Sequence, residues 1–86
     1  MTRGSKIIID KSRTVLPSTL YRGRVTLQLY SGSPVSIGFD EKAVHEKGIM
    51  LFATGDRIVI DAPLNLLEIT AICADGQTAK IGYQTE

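Results

Sequence analysis

Short runs of alternating apolar and polar residues, separated by turn residues, recur along most of this 86-residue chain. In residues 24–30, Val25, Leu27 and Leu29 alternate with polar residues, which is the two-residue period of a half-buried β-strand. Similar runs follow, and glycine, proline or aspartate interrupts them about every 8–12 residues, as in sandwiches and barrels. Because no sustained helical period occurs, we predict an all-β fold: a single small β-sandwich or barrel of about seven short antiparallel strands.

Two glycines give more specific expectations. Gly38 interrupts an alternating run, and a glycine inside a strand indicates a bulge or the close approach of another backbone. Asp75-Gly76 separates two long runs, residues 67–74 and 78–83, and this dipeptide favours a two-residue type I′ turn. We therefore predict that these two runs form a hairpin.

The first 23 residues lack the regular alternation of the rest of the chain. Pro17 disfavours helix in the residue before it, and Gly23 follows before a helix could develop. We expect residues 1–23 to form an extended N-terminal arm that becomes ordered on contact with another molecule, and residues 24–86 to form a β domain that folds without it. Residues 6–10 leave two alternatives open: they add a strand to a neighbouring molecule, or they complete the domain's own sheet.

Charge is distributed unevenly, although the net charge is only +1. Residues 1–24 carry six basic side chains and one acidic side chain, whereas residues 25–86 carry four basic and eight acidic side chains. A basic arm on an acidic body predicts that the arm contacts a partner; the alternative is a mixed, solvated surface. The candidate partner-binding residues are Arg3, Lys6, Ile8, Lys11, Arg13, Arg22 and Arg24.

The residue types that usually carry chemistry do not occur here in a recognisable pattern. His45 is the only histidine, it lies in a polar turn region, and no serine has the G-x-S-x-G surroundings of a nucleophile. Cys73 is the only cysteine, which excludes an intrachain disulfide and a cysteine-based zinc site, and it lies on the expected core face of residues 67–74. We therefore expect no enzymatic activity, no cofactor and no metal.

Turns and alternating residues follow one another in a characteristic order along the chain. The segments that carry this order are Ser31–Gly38, Lys47–Leu51, Thr54–Asp61 and Ile69–Ile81. In this order the chain resembles small all-β virion proteins of tailed bacteriophages, of the capsid decoration or cement type, over roughly residues 25–84. The resemblance implies a non-enzymatic component of the virion, made in the host cytoplasm, and we expect it to stabilise the head shell through its basic arm and loops. Its expected partners are other virion proteins, chiefly the major capsid protein, and further copies of itself in a homo-oligomer. A neck or tail accessory subunit is the alternative within the virion.

A small nucleic-acid-binding β-barrel is the second class of function that the sequence permits. Tyr21-Arg22-Gly23-Arg24 is the only close cluster of aromatic and basic residues in the sequence. Aromatic and basic side chains together bind single-stranded nucleic acid. The acidic body is expected to repel phosphate, so nucleic acid is not an expected partner. A membrane is not expected either, because no apolar run approaches the roughly 18–20 residues of a span.

Overall fold

The computed structural model describes residues 2–20 and 22–85, with only the backbone of Thr2. They form two four-stranded antiparallel sheets packed face to face, so the all-β prediction is confirmed as a sandwich rather than a closed barrel. The strands are β1 (Thr2–Ile8), β2 (Arg13–Leu16), β3 (Val25–Gly32), β4 (Val35–Phe39), β5 (Ile49–Leu51), β6 (Arg57–Ile60), β7 (Ile69–Cys73) and β8 (Ala79–Thr85). A short 3₁₀ helix spans Leu64–Leu66 between β6 and β7.

Consecutive strands lie across from one another in the two layers. Sheet A has the order β1-β8-β3-β6, and sheet B has the order β2-β7-β4-β5. Within each of the pairs β1/β2, β8/β7, β3/β4 and β6/β5, the two strands therefore hold the same position in opposite sheets. Every connection except the one from β4 to β5 crosses from one sheet to the other. Most neighbours within a sheet are therefore distant in sequence.

An aliphatic core fills the space between the sheets. The alternation predicted for residues 24–30 is confirmed, because Val25, Leu27 and Leu29 of β3 are fully buried. Burying each such side chain contributes about 1.5–3 kcal/mol to folding. The other core side chains come from every strand: Ile8, Val15, Leu16, Val35, Ile37, Leu51, Ile60, Ile69, Ala71, Cys73, Ala79 and Ile81.

The N-terminal residues, expected as an extended arm outside the domain, instead supply two strands of the sandwich. β1 pairs with β8 over its whole length, from Thr2 opposite Thr85 to Ile8 opposite Ala79. β2 pairs with β7 and places Val15 in the core. Of the two alternatives for residues 6–10, the structure shows pairing with the domain's own sheet. The N-terminal residues join the sandwich because Ile8, Val15 and Leu16 are apolar and are buried in its core.

The turn at Asp75-Gly76 differs from the one predicted. Only Gly76 has a positive φ, at 73°, whereas a type I′ turn requires positive φ at both central residues. The N–H of Gln77 donates to the carbonyl of Ala74 at 3.0 Å, which closes the turn. The strands on either side, β7 and β8, belong to different sheets and do not pair. The hairpin prediction is therefore wrong: the turn carries the chain from one layer to the other.

Replacing Gly76 by valine is expected to lower the free energy of unfolding by about 1–2 kcal/mol, because a β-branched residue is disfavoured at positive φ. A Cβ at this position meets no atom within 4 Å, so the cost is conformational rather than steric. Urea denaturation measures it. Gly76→Asn is the control, because asparagine tolerates this region, and equal losses for both variants would contradict the explanation.

Sheet B has its outer face covered by its own chain. Residues 40–48, which we call the strap, connect β4 to β5 and fold back over this face. The hydroxyl of Thr70 donates to the carbonyl of Glu41 at 2.7 Å, and Ala43 is buried. A Cβ on Gly38 would lie 2.7 Å from Oγ1 of Thr70 and 3.2 Å from Cα of Ala43. The close backbone approach predicted for Gly38 is thus confirmed, and the strap is what approaches.

Candidate functional site

The outer face of sheet A has no covering segment among the described residues. We call it the open face; its residues point away from the core and alternate with buried ones along each strand. Tyr30, Ile7 and Val59 are about half exposed on it, at 47%, 49% and 48%. The open face consists of Arg3, Ser5 and Ile7 from β1, Lys80, Gly82 and Gln84 from β8, Thr26, Gln28 and Tyr30 from β3, and Arg57 and Val59 from β6.

Three cations and no carboxylate occupy these outward positions of the described strands. Arg3 lies on β1, Lys80 on β8 and Arg57 on β6, so the positive charges reach from one edge strand of sheet A to the other. With neighbouring strands about 4.8 Å apart, the three positions are separated by about 10–16 Å. Two of these cations, Lys80 and Arg57, come from residues 25–86, where acidic side chains outnumber basic ones. The number of charged side chains in each part of the sequence therefore does not predict the charge of this surface.

The ring of Tyr30 lies over Gly82 on the open face. A Cβ built on Gly82 would overlap Cζ, Cε1 and the hydroxyl oxygen of Tyr30, so the ring occupies the space that a side chain at position 82 would take. The pairing of β3 with β8 shifts register between Leu29 and Ser31, and this bulge sets the direction of the tyrosine between them. The ring thus lies over the backbone of β8 at Gly82, while the residue as a whole is 47% exposed.

A shallow polar groove runs beside this ring. Its volume is about 170 Å³, below the roughly 300–1,000 Å³ of small-molecule sites. Arg3, Thr26, Gln28, Arg57 and Gln84 line it together with Tyr30. Amide, hydroxyl and guanidinium groups thus lie beside a half-exposed aromatic ring. This arrangement suits contact along the surface with an extended molecule better than enclosure of a small one.

A second exposed surface lies at the side of the sandwich where β5 is the edge strand of sheet B and β6 is the edge strand of sheet A. We call it the β5–β6 side; it carries Ile49, Phe52 and Val59, which are 40%, 63% and 48% exposed. Among the described strands, β5 pairs only with β4 and β6 only with β3, so each has one edge that no described strand pairs with. The carboxylate of Asp56 accepts hydrogen bonds at 3.0 Å from the N–H groups of Phe52 and Ala53, which fixes the turn between these strands.

The residues predicted to bind a partner do not form one surface. Arg3 joins the open face, whereas Lys11 lies in the exposed turn after β1, at the opposite end of that strand. Lys6 is half-buried within β1. Ile8 is completely buried, so it contributes to the core and is not available to a partner. Arg13 donates from Nη1 to the carbonyl of Ile7 in β1 at 3.0 Å, so its guanidinium makes a contact within the domain.

The two remaining arginines make contacts within the domain. Arg24 forms an exposed ion pair with Asp61 at 2.9 Å. Arg22 donates three hydrogen bonds to main-chain carbonyls, and burial lowers the pKa of its guanidinium. Arg22 thus links the segment after β2 to the segment before β7. Tyr21, predicted as part of an aromatic and basic cluster with these arginines, lies outside the described residues.

Sequence reasoning missed Tyr30, Arg57 and Lys80 as candidate site residues. Each is an outward residue that alternates with core residues on its strand, which is a signal visible in the sequence. What the sequence does not show is that β3, β6 and β8 belong to the same sheet. The site therefore depends on strand order rather than on a motif.

The groups most capable of chemistry lie apart from both surfaces. His45 is exposed on the strap, and its Nε2 lies 3.3 Å from Oε1 of Glu46. Cys73 is buried, burial raises the pKa of its thiol, and its Sγ donates to the carbonyl of Ile8 at 3.5 Å. In residues 2–20 and 22–85, no group of three or more histidine, cysteine, aspartate and glutamate side chains is placed to hold a metal ion.

Comparison with known proteins adds no relative to this description. No protein-family model matches the chain, and no curated protein or solved structure matches it either. In the part of the chain that the structure describes, no helix is long and apolar enough to span a membrane. The two exposed surfaces are therefore the features from which function can be argued.

Proposed function

We propose that this chain is a non-enzymatic structural subunit of a phage virion, of the capsid decoration or cement type, that packs against other virion proteins. The observation that carries the proposal is the β5–β6 side, where exposed apolar side chains lie beside two unpaired strand edges. The resemblance of residues 25–84 to such proteins supplies the rest. The proposed partners are the major capsid protein and further copies of this chain.

The physical basis is the cost of leaving such a surface in water. An unpaired strand edge offers N–H and C=O groups to a further strand, and natural proteins usually blunt or cover it. β5 has three residues and β6 has four, so the edges are short. Phe52 between them is 63% exposed. Complete burial of a phenylalanine against a partner would contribute about 1.5–3 kcal/mol, which favours docking at this position.

The test is attachment to particles. Mass spectrometry of virions purified from the phage that encodes the chain is expected to detect it, and the purified protein is expected to co-sediment with heads that lack it. Averaged electron-microscopy maps then locate the copies on the head, the neck or the tail. If the chain is missing from purified virions, the proposal is wrong.

A double variant identifies the docking surface. Phe52→Ser with Val59→Ser is expected to reduce the copies per particle at least tenfold, because it removes two exposed apolar side chains of the β5–β6 side. Leu20→Ser is the matched control, because Leu20 is 83% exposed but lies in the segment between β2 and β3. Unchanged copy number for the double variant, with the domain still folded, would exclude this side as the contact.

A further inference from the structure

We propose that the open face binds single-stranded nucleic acid, as a function separate from the protein contacts of the β5–β6 side. Three features of that face converge on this ligand: its charge, the exposed ring of Tyr30, and the polar side chains between them. The two surfaces adjoin at β6 and share Val59, but nucleic-acid binding would use the cations, Tyr30 and the polar side chains, whereas the phage proposal uses exposed apolar side chains and strand edges.

The charge of the open face suits a phosphate backbone. Arg3, Lys80 and Arg57 are spread over three of its four strands, and no described outward residue of these strands is acidic. The acids that flank β6 are engaged elsewhere: Asp56 accepts two main-chain hydrogen bonds within its turn, and Asp61 pairs with Arg24. The objection that an acidic body repels phosphate therefore does not apply to this face.

The ring of Tyr30 provides a platform for a base. It lies over Gly82, so the sheet supports the ring at that position while the residue remains 47% exposed. Single-stranded nucleic acids bind β-sheet surfaces by stacking bases on such rings, which every base can do. Duplex bases are stacked on each other and have no free face to offer. The platform thus favours a single strand over a duplex.

The polar side chains of the groove complete the site. Gln28 and Gln84 line the groove with amides, which can both donate and accept hydrogen bonds, and Nε2 of Gln28 also donates to the carbonyl of Gly55 at 3.3 Å. Thr26 lies opposite Gln84 and two residues before Gln28 on β3. Such groups bind phosphates, sugars and base edges. An acidic peptide would use the cations but would not need the half-exposed aromatic ring of Tyr30. The combination therefore favours nucleic acid over an acidic protein.

Binding is measured by the fluorescence anisotropy of a labelled twelve-residue oligothymidylate. We expect saturable binding at about 50 mM salt, with a slope of about −2 for the logarithm of the binding constant against the logarithm of salt concentration, since each of three neutralised phosphates contributes about −0.7. Arg57→Ala should make the slope less negative by about 0.7. Lys47→Ala, which removes the same charge from the strap over the opposite sheet, should leave it unchanged.

Variants of Tyr30 separate stacking from charge. Tyr30→Leu keeps an apolar cover over Gly82 without a ring and is expected to weaken binding about tenfold, whereas Tyr30→Phe retains it. Circular dichroism confirms that each variant is folded. Three results would overturn the proposal: no anisotropy change at about 50 mM salt, equal affinity for a duplex of the same length, or equal affinity for polyglutamate with no effect of Tyr30→Leu. The last result would indicate an acidic protein as the partner.

Discussion

Deleting residues 1–22 is expected to abolish cooperative folding of the remaining chain. The deletion removes β1 and β2, and with them Ile8, Val15 and Leu16, which are 0%, 2% and 7% exposed. Each buried aliphatic side chain contributes about 1.5–3 kcal/mol, and a domain is typically stable by about 5–15 kcal/mol in total. β8 and β7 also each lose one of their two pairing partners. Circular dichroism during heating should show no sigmoidal transition; a truncated chain that melts cooperatively would contradict the prediction.

Two neighbouring isoleucines provide the control for this experiment. Ile8 is fully buried, whereas Ile7, the preceding residue of the same strand, is 49% exposed. Ile8→Ala is expected to lower the free energy of unfolding by about 2–5 kcal/mol, and Ile7→Ala by less than about 1 kcal/mol. Urea denaturation of both full-length variants measures the difference. Similar losses would mean that β1 is not seated in the core as described.

Sequence patterns within a few residues predicted the features that depend on neighbouring residues, namely individual strands and turns. The alternation of apolar residues located β3 and β4, and Gly38 correctly indicated that another backbone passes close to β4. The pairing of β1 was not predictable in this way, because its partner β8 is at the other end of the chain. Asp75-Gly76 correctly indicated a turn. A turn signal does not say whether the strands that it joins pair with each other or enter opposite sheets.

The candidate site was less accessible to sequence reasoning than the fold. Charge counted along the chain placed the basic surface in the first 24 residues, yet Arg22 and Arg24 are committed to contacts within the domain. The open face combines Arg3 from that segment with Arg57 and Lys80 from the acidic remainder. Alternation identifies each of these as an outward residue. Only the strand order shows that they share a surface.

Replacing Arg22 by alanine is expected to lower the free energy of unfolding by about 2–4 kcal/mol. The guanidinium donates to the carbonyls of Asn65 at 2.7 Å, Pro17 at 2.9 Å and Leu67 at 3.0 Å, and it joins the segment after β2 to the segment before β7. Asn65 returns the contact, because its Nδ2 donates to the carbonyls of Arg22 and Gly23 at 2.7 and 2.9 Å. Without the guanidinium, partly buried carbonyls lose their donors. Urea denaturation measures the change.

Arg24 is the matched control, because it lies two residues along the same segment and carries the same charge. Its ion pair with Asp61 is exposed, and such pairs contribute about 0–1 kcal/mol, so Arg24→Ala should have little effect. Arg22→Lys should recover less than half of the stability lost in Arg22→Ala, because a single ammonium cannot reproduce the planar set of donors that reaches three carbonyls at once. Full recovery by lysine would show that charge, rather than the geometry of the guanidinium, holds these segments together.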